Sequence, residues 1–225
     1  MVVENLDDPH LDPADIHHLG KVLRLRPGEA LGATDGRGGL RRLVWRGGGS
    51  VEPGGEADRL PRAEPSLTVA FPPVKGDRPE WAVQKLTEIG VDRIVLMHAE
   101  RSVVRWEGDR AGGHLERLRR VARSALMQSK GRWLPELSVD EFSSLVSGAG
   151  PGPAVAMALP GDPGKPSLAQ PTVLVGPEGG WSAGEEQARG VAHIGLGPTV
   201  LRSETAAVAA AVLLCGLRSG LVGPA

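Results

Sequence analysis

Val173-Leu174-Val175-Gly176-Pro177-Glu178-Gly179-Gly180-Trp181-Ser182, followed by Leu196-Gly197-Pro198-Thr199-Val200-Leu201-Arg202-Ser203-Glu204-Thr205-Ala206, decides the reading of this 225-residue chain. Each piece is a short apolar run that breaks at glycine and proline and then leads into a helix start. In the first, Gly176, Gly179 and Gly180 let a ligand approach the backbone closely, and the helix start beyond offers unpaired N–H groups. In the second, Gly197-Pro198 makes the turn. Ser203 suits a helix cap there, and Glu204 suits the positive end of the helix dipole. Parallel sheets hold ligands at the carboxyl ends of their strands, so two such loops in series are expected to pinch one small ligand between them.

Working outward, the chain reads as α/β from Leu67 onward. Leu67–Phe71 is predicted to be a strand, and Asp77 with Glu80 a capping box for a helix that ends at Gly90. Further strands are predicted at Val91–Met97, Ala154–Leu159, Thr172–Val175 and His193–Leu196. An amphipathic helix is predicted over His114–Ser129, a short one over Ala183–Gly190 and a last one over Ser203–Leu217. Strands separated by helices imply a mostly parallel sheet covered on both faces. Residues 1–65 read differently. They are rich in turns, with short strands predicted at Ala30–Thr34 and Leu40–Trp45, then a broken polar stretch from Gly47 to Pro61. A boundary near Ala63–Ser66 gives two domains, 1–65 and 66–225.

Composition narrows the class. The chain is 40% hydrophobic and 24% charged with a net charge of -1, which gives no global field toward nucleic acid. Charge is concentrated locally: His17–Arg46 holds 7 basic against 2 acidic residues, and residues 100–132 hold 9 against 4. These are candidate anion-binding faces. A single cysteine, Cys215, excludes a disulfide framework, and no run is long and apolar enough to span a bilayer; a cytoplasmic location is expected. The six histidines lack metal-ligand spacing, so no metal is expected. No Walker phosphate loop, dinucleotide fingerprint or nucleophile elbow occurs.

At these motifs the sequence resembles the RsmE family, the 16S rRNA (uracil-N3)-methyltransferases of the SPOUT superfamily. The resemblance runs through His17-His18-Leu19-Gly20-Lys21-Val22-Leu23-Arg24-Leu25, Lys75-Gly76-Asp77-Arg78, Gln84–Val91, Glu100–Val103 and Ala125–Ser129 with Arg132 and Pro135. It is strongest at Gly176–Gly180 and Leu201–Ala206. It implies an N-terminal PUA-like β-barrel, 1–65, followed by a SPOUT α/β domain, 66–225, with a C-terminal trefoil knot. It also implies S-adenosyl-L-methionine (SAM) as methyl donor, a homodimer, and 16S rRNA of the small ribosomal subunit as partner.

Carried onto this chain, the resemblance assigns the cofactor to Leu174, Gly176, Pro177, Glu178, Gly179, Gly180, Leu196, Gly197, Val200, Leu201, Arg202 and Thr205. Arg202 is the first catalytic candidate, as a donor to negative charge on a base carbonyl, with Glu178, Glu204 or water as general base. RNA contacts fall to His18, Lys21, Arg24, Arg26, Arg101, Arg123, Gln128, Ser129 and Arg132. Met127 stands where the family pattern leads one to expect an acid. Met1-Val2-Val3-Glu4-Asn5 lacks a basic-aromatic opening, so no RNA contact is assigned to the extreme N-terminus. A methyltransferase acting on transfer RNA and a non-catalytic RNA-binding protein are the competing readings.

Overall fold

Glycine runs and apolar alternation in the first sixty residues become a small antiparallel sheet in the computed structural model, which describes residues 1–147 and 154–223. Two compact units emerge: Met1–Arg62 with Leu126–Leu134, and Ala63–Ala125 with Pro135–Ala225. In the first, β1 (Ala30–Thr34), β2 (Gly39–Gly47), β3 (Ser50–Pro53) and β4 (Asp58–Arg59) pair antiparallel, with β2 central. Sequence reasoning left β3 as a broken stretch. Gly47, Gly48 and Gly49 all have positive φ, and they turn β2 back onto β3 as a hairpin. The excursion Leu126–Leu134 joins this unit through backbone bonds: Gly38 N–H donates to Arg132 O at 2.9 Å, and Leu134 N–H to Gly36 O at 2.9 Å.

Asp35 organises the turn between β1 and β2. Its carboxylate accepts from the N–H groups of Arg37 (2.8 Å) and Gly39 (2.9 Å) and from the Arg59 guanidinium (3.1 Å). Burial works against the charge, but these three donors win and hold the carboxyl below its ordinary value. Ahead of β1, a short helix α1 (Pro13–His17), capped by the Asp12 side chain, runs into a π-helical turn, His18–Val22. There Leu19 is buried, whereas Val22 and Leu23 are exposed.

The second unit is a six-stranded sheet, parallel throughout, in the order β10-β8-β9-β5-β6-β7. Its strands are β5 (Thr68–Phe71), β6 (Arg93–His98), β7 (Glu136–Glu141), β8 (Val155–Ala158), β9 (Thr172–Val175) and β10 (Val191–Ile194). The α/β expectation therefore holds. β5, β6, β8 and β9 are almost continuously buried, as strands covered on both faces should be. β7 went unread because it is a short, half-exposed edge strand whose only apolar residues are Leu137 and Val139.

Helices fill the connections: α2 (Arg78–Ile89), α3 (Gly108–Ser129), α4 (Phe142–Ser147), α5 (Ala183–Glu186) and α6 (Ser203–Arg218). α3 begins two turns before the predicted start because Gly108, Gly112 and Gly113 weaken its sequence signal. The predicted Asp77–Glu80 capping box does not form. Asp77 sits at φ −91° and ψ 5° without a side-chain cap bond, and Glu80 instead meets Arg117 Nε at 2.8 Å. Gly90 does close α2 in the left-handed conformation, at φ 99°. Ser182 and Glu185 form the capping box that starts α5.

Two contacts set the path of the C-terminal segment. After β10, at the sheet edge, the chain returns so that α6 packs on α2 and β5 near the sheet centre. At this crossing Gly195 N–H donates to Gly164 O at 2.8 Å, and a Cβ on Gly195 would lie 2.2 Å from Asp162 O. At the far end of α6, Arg218 pairs with buried Asp92 and donates to Gly90 O at 2.9 Å, while Asp92 also accepts Leu67 N–H at 2.8 Å. No helix among the described residues is long and apolar enough to cross a membrane.

Asp92→Ala leaves Arg218 as an uncompensated cation and should lower unfolding free energy by about 3–5 kcal/mol in urea titration. Asp35→Asn should be less stable than the parent at neutral pH, where the carboxylate's contribution is fully present. As pH falls through the depressed native pKa, the parent loses that contribution, so the two midpoints should converge in acid.

Candidate active site

Three strand ends meet at one cavity. The end of β8 and the residues after it (Ala158, Leu159, Pro160), the end of β9 with its loop (Val175 to Glu178, Gly180, Trp181) and the segment leading into α6 (Leu196, Gly197, Thr199 to Ser203) enclose about 170 Å³, with Ala206 behind them. All lie at the carboxyl ends of parallel strands, where the flanking peptides diverge and leave room for a ligand. The two loops predicted to pinch a ligand are joined directly: Ser203 Oγ donates to Gly176 O at 2.7 Å. Ser203 is thus not the helix cap; Arg202 occupies that position, at φ −67° and ψ 154°.

Trp181 forms one wall. Its indole N–H donates to Ala158 O at 3.2 Å, so the β9 loop is held against the end of β8. The ring leaves no space at Gly176, where a Cβ would lie 2.9 Å from the indole. Trp181 stands in the quoted stretch, but its place in the site rests on the end of β8, which the sequence does not put beside β9.

Of the predicted cofactor residues, Gly176, Pro177, Glu178, Gly180, Leu196, Gly197, Val200, Leu201 and Arg202 line the cavity. Leu174, Gly179 and Thr205 do not. Leu174 alternates away from Val175 and is fully buried in the sheet core against Val95 and Met157. Thr205 is exposed and lies off the α6 face that carries Ser203 and Ala206. Gly179 contributes its carbonyl to Arg101 Nη1, at 3.2 Å. Leu159 and Pro160 were missed, although the predicted strand Ala154–Leu159 already pointed its carboxyl end at this place.

The charged groups divide sharply. Arg202 is exposed on the cavity rim, and its guanidinium has no partner among the described residues. Glu178 also lines the cavity, with its side chain 49% exposed. Glu204 does not: its side chain is 8% exposed, buried beside Arg78 at the start of α6. That position removes Glu204 from contact with a ligand in the cavity.

The segment carrying Arg101 is itself fastened from below. Buried His98 accepts Trp106 N–H at Nε2 (3.0 Å), so Nδ1 carries the proton donated to Glu141 (3.0 Å). Arg105 grips Glu141 through both oxygens at 3.0 Å. Burial opposes the Glu141 charge, yet His98 and Arg105 together hold its carboxyl below the ordinary value.

The residues assigned to RNA separate between the units. His18, Lys21, Arg24 and Arg26 are exposed on and after the π-helical turn, and Arg24 adopts a positive φ of 53°. Gln128 and Ser129 are exposed at the end of α3, where Ser129 Oγ donates to Leu126 O. Arg132 is half-buried and paired with Asp58 at 2.7 Å. Arg101 is exposed and Arg123 half-buried in the second unit. No cluster of three or more His, Cys, Asp or Glu side chains able to hold a metal occurs among the described residues.

The RNA methyltransferase domain family matches residues 62–215, and the RNA methyltransferase PUA domain family matches residues 11–43. The ribosomal RNA small subunit methyltransferase E of Mycobacterium bovis is 34% identical over 213 residues, covering 86% of this chain and 80% of the relative. A crystal structure of a probable rRNA-methyltransferase from Porphyromonas gingivalis superposes with a TM-score of 0.82 at 28% identity, covering 94% of each chain. A ribosomal RNA small subunit methyltransferase E from Neisseria gonorrhoeae, solved bound to S-adenosyl methionine, gives 0.75 at 28% identity, covering 89% of this chain and 88% of that one. This chain therefore belongs to the RsmE family, the ribosomal RNA small subunit methyltransferase E proteins.

Proposed function

We propose that this chain is an enzyme that transfers a methyl group from SAM to the N3 atom of a uridine in 16S rRNA of the small subunit. The family relationship supports the reaction class. One observation carries the site: Arg202, a guanidinium with no partner among the described residues, stands on the rim of a cavity built by both glycine loops.

The cavity suits SAM. Its inner walls are mainly apolar side chains and loop backbone, with Glu178 and Arg202 on the rim, and it is tight at Gly176, where any Cβ would meet Trp181. Gly176, Pro177, Gly180, Trp181, Leu196 and Leu201 would hold the cofactor. When bound, SAM supplies an electrophilic methyl group on a sulfonium.

Uridine N3 carries an imide proton and is a poor nucleophile until that proton leaves. Arg202 donates to the base carbonyl oxygen on which negative charge develops. Glu178, also on the rim, takes the N3 proton directly or through water. Glu204 is too deeply placed for that role. Holding N3 in line with the methyl carbon is mainly a matter of position, which the Ser203–Gly176 bond serves by fixing the two loops to each other. The base must be unpaired or extruded from its helix to reach the rim. His18, Lys21, Arg24 and Arg26 in one unit and Arg101 in the other serve as phosphate contacts. Arg132 joins them by exchanging Asp58 for phosphate.

Finer features belong to the same reading. α6 is threaded as a trefoil knot, supported by its return from the β10 edge to the sheet centre past the Gly164–Gly195 crossing. The first unit closes as a PUA-like barrel, supported by the bridges Val2–Thr34 and Arg37–Trp133 beyond the four strands. The enzyme acts as a cytoplasmic homodimer; Val103 and Val200, 73% and 80% exposed, supply apolar surface for the partner.

Two measurements test the site. Arg202→Ala should keep its thermal midpoint and its SAM affinity by calorimetry while methyl transfer to 16S rRNA falls by about a hundredfold or more. Full activity in that variant removes Arg202 from the mechanism. Gly176→Ala should weaken SAM binding by about tenfold or more, because the indole must move by several tenths of an ångström in a close-packed wall. Unchanged affinity would place the cofactor elsewhere.

A further inference from the structure

Arg78 opens α2 after the β5 loop, yet its side chain reaches Glu178 in the loop after β9 and Glu204 at the start of α6. Nε donates to Lys75 O at 3.1 Å, which fixes the guanidinium plane. Nη1 then meets Glu178 Oε1 at 3.2 Å and Glu204 Oε1 at 3.4 Å. One nitrogen therefore serves two carboxylates, one from the loop after β9 and one from the first turn of α6.

The two carboxylates are not equivalent. Glu204 is fixed in the first turn of α6 between Ser203 and Ala206, and its Oε2 is buried without a hydrogen-bond partner among the described residues. Glu178 is half-exposed between Pro177 and Gly179, where little packing holds a rotamer. A half-exposed ion pair is usually weak because both long side chains must be ordered to form it. Here the guanidinium is already ordered by Lys75 O and Glu204, so only Glu178 is left to order.

We infer that Arg78 is a positioning residue: buried Glu204 anchors the guanidinium, and the guanidinium holds Oε1 of Glu178, so that Oε2 is the oxygen that accepts from the ligand. This inference rests on the reading that Glu178 takes the uridine proton. In that step the N3–H bond breaks and its proton passes to Glu178 Oε2. The nitrogen electron pair forms the new N–C bond, and the methyl–sulfur bond breaks with its pair going to sulfur, which leaves as a neutral thioether. Arg78 touches none of the reacting atoms. Its part is to keep the accepting oxygen in place through a relay of three segments that follow β5, β9 and β10.

The test is a kinetic cycle on the full-length protein with saturating SAM and 16S rRNA, using Arg78→Ala, Arg78→Lys, Glu178→Gln and the combined variants. Arg78→Ala should lower kcat by about tenfold to a hundredfold, with the calorimetric SAM affinity unchanged. Arg78→Lys, which keeps the charge but loses the fork, should fall between that variant and the parent. On the Glu178→Gln background, Arg78→Ala should slow the reaction by less than about twofold more. An equal slowing on both backgrounds overturns the inference, as does a loss of SAM affinity that matches the loss of rate. If Arg78→Ala lowers the thermal midpoint sharply, the same cycle with Arg78→Lys decides. Parental activity in Glu178→Gln removes Glu178 from the chemistry and the relay with it, while leaving methyl transfer itself standing. No methyl transfer by the parent protein overturns the enzyme reading instead.

Discussion

The site depends on a backbone crossing that only glycine permits. Where the loop after β8 passes the end of β10, Gly195 N–H meets Gly164 O at 2.8 Å, and a Cβ on either glycine would lie about 2 Å from a carbonyl oxygen of the other segment. This contact brings Leu159 and Pro160 to one side of the cavity and sends the chain back through Leu196–Ser203 on the other. The Ser203–Gly176 bond then closes the third side. Three segments distant in sequence share one small volume because their backbones can approach without side chains between them.

Electrostatics within that volume follow from depth. Arg202 and Glu178 lie on the rim, where solvent and ligand reach them, whereas Glu204 is buried and committed to Arg78. The same residue type therefore stands at two depths on one cation: Glu178 half-exposed and Glu204 buried, both within reach of Arg78 Nη1. Below the loop, the His98–Glu141–Arg105 cluster and the Glu100 N–H bond to Glu185 hold the segment that carries Arg101 beside Gly179.

Much of this was legible in the sequence, for identifiable reasons. The strands β5, β6, β8 and β9 announce themselves as apolar runs because both of their faces are covered, and the two glycine loops, taken as a pair, mark the place where the cavity lies. What escaped were features decided by partners far along the chain. Asp77 looks like a cap, but Glu80 is drawn away by Arg117. Ser203 looks like a cap and is a tether. Leu126–Leu134 continues a helix of the second unit, yet bonds to the turn around Gly36–Gly38 in the first. Trp181 and Pro160 needed the strand order, which brings β8 beside β9, before they could be placed on one wall. Arg78 needed the fold as well, since 100 residues separate it from Glu178.

Methyl transfer to one uridine of 16S rRNA is read out by mass-spectrometric mapping of ribosomal RNA from a strain lacking this gene, with and without the gene restored. One N3-methyluridine in 16S rRNA should disappear on deletion and return on restoration, with transfer RNA unchanged. An unaltered 16S rRNA, or a methyl group lost from transfer RNA instead, would contradict it.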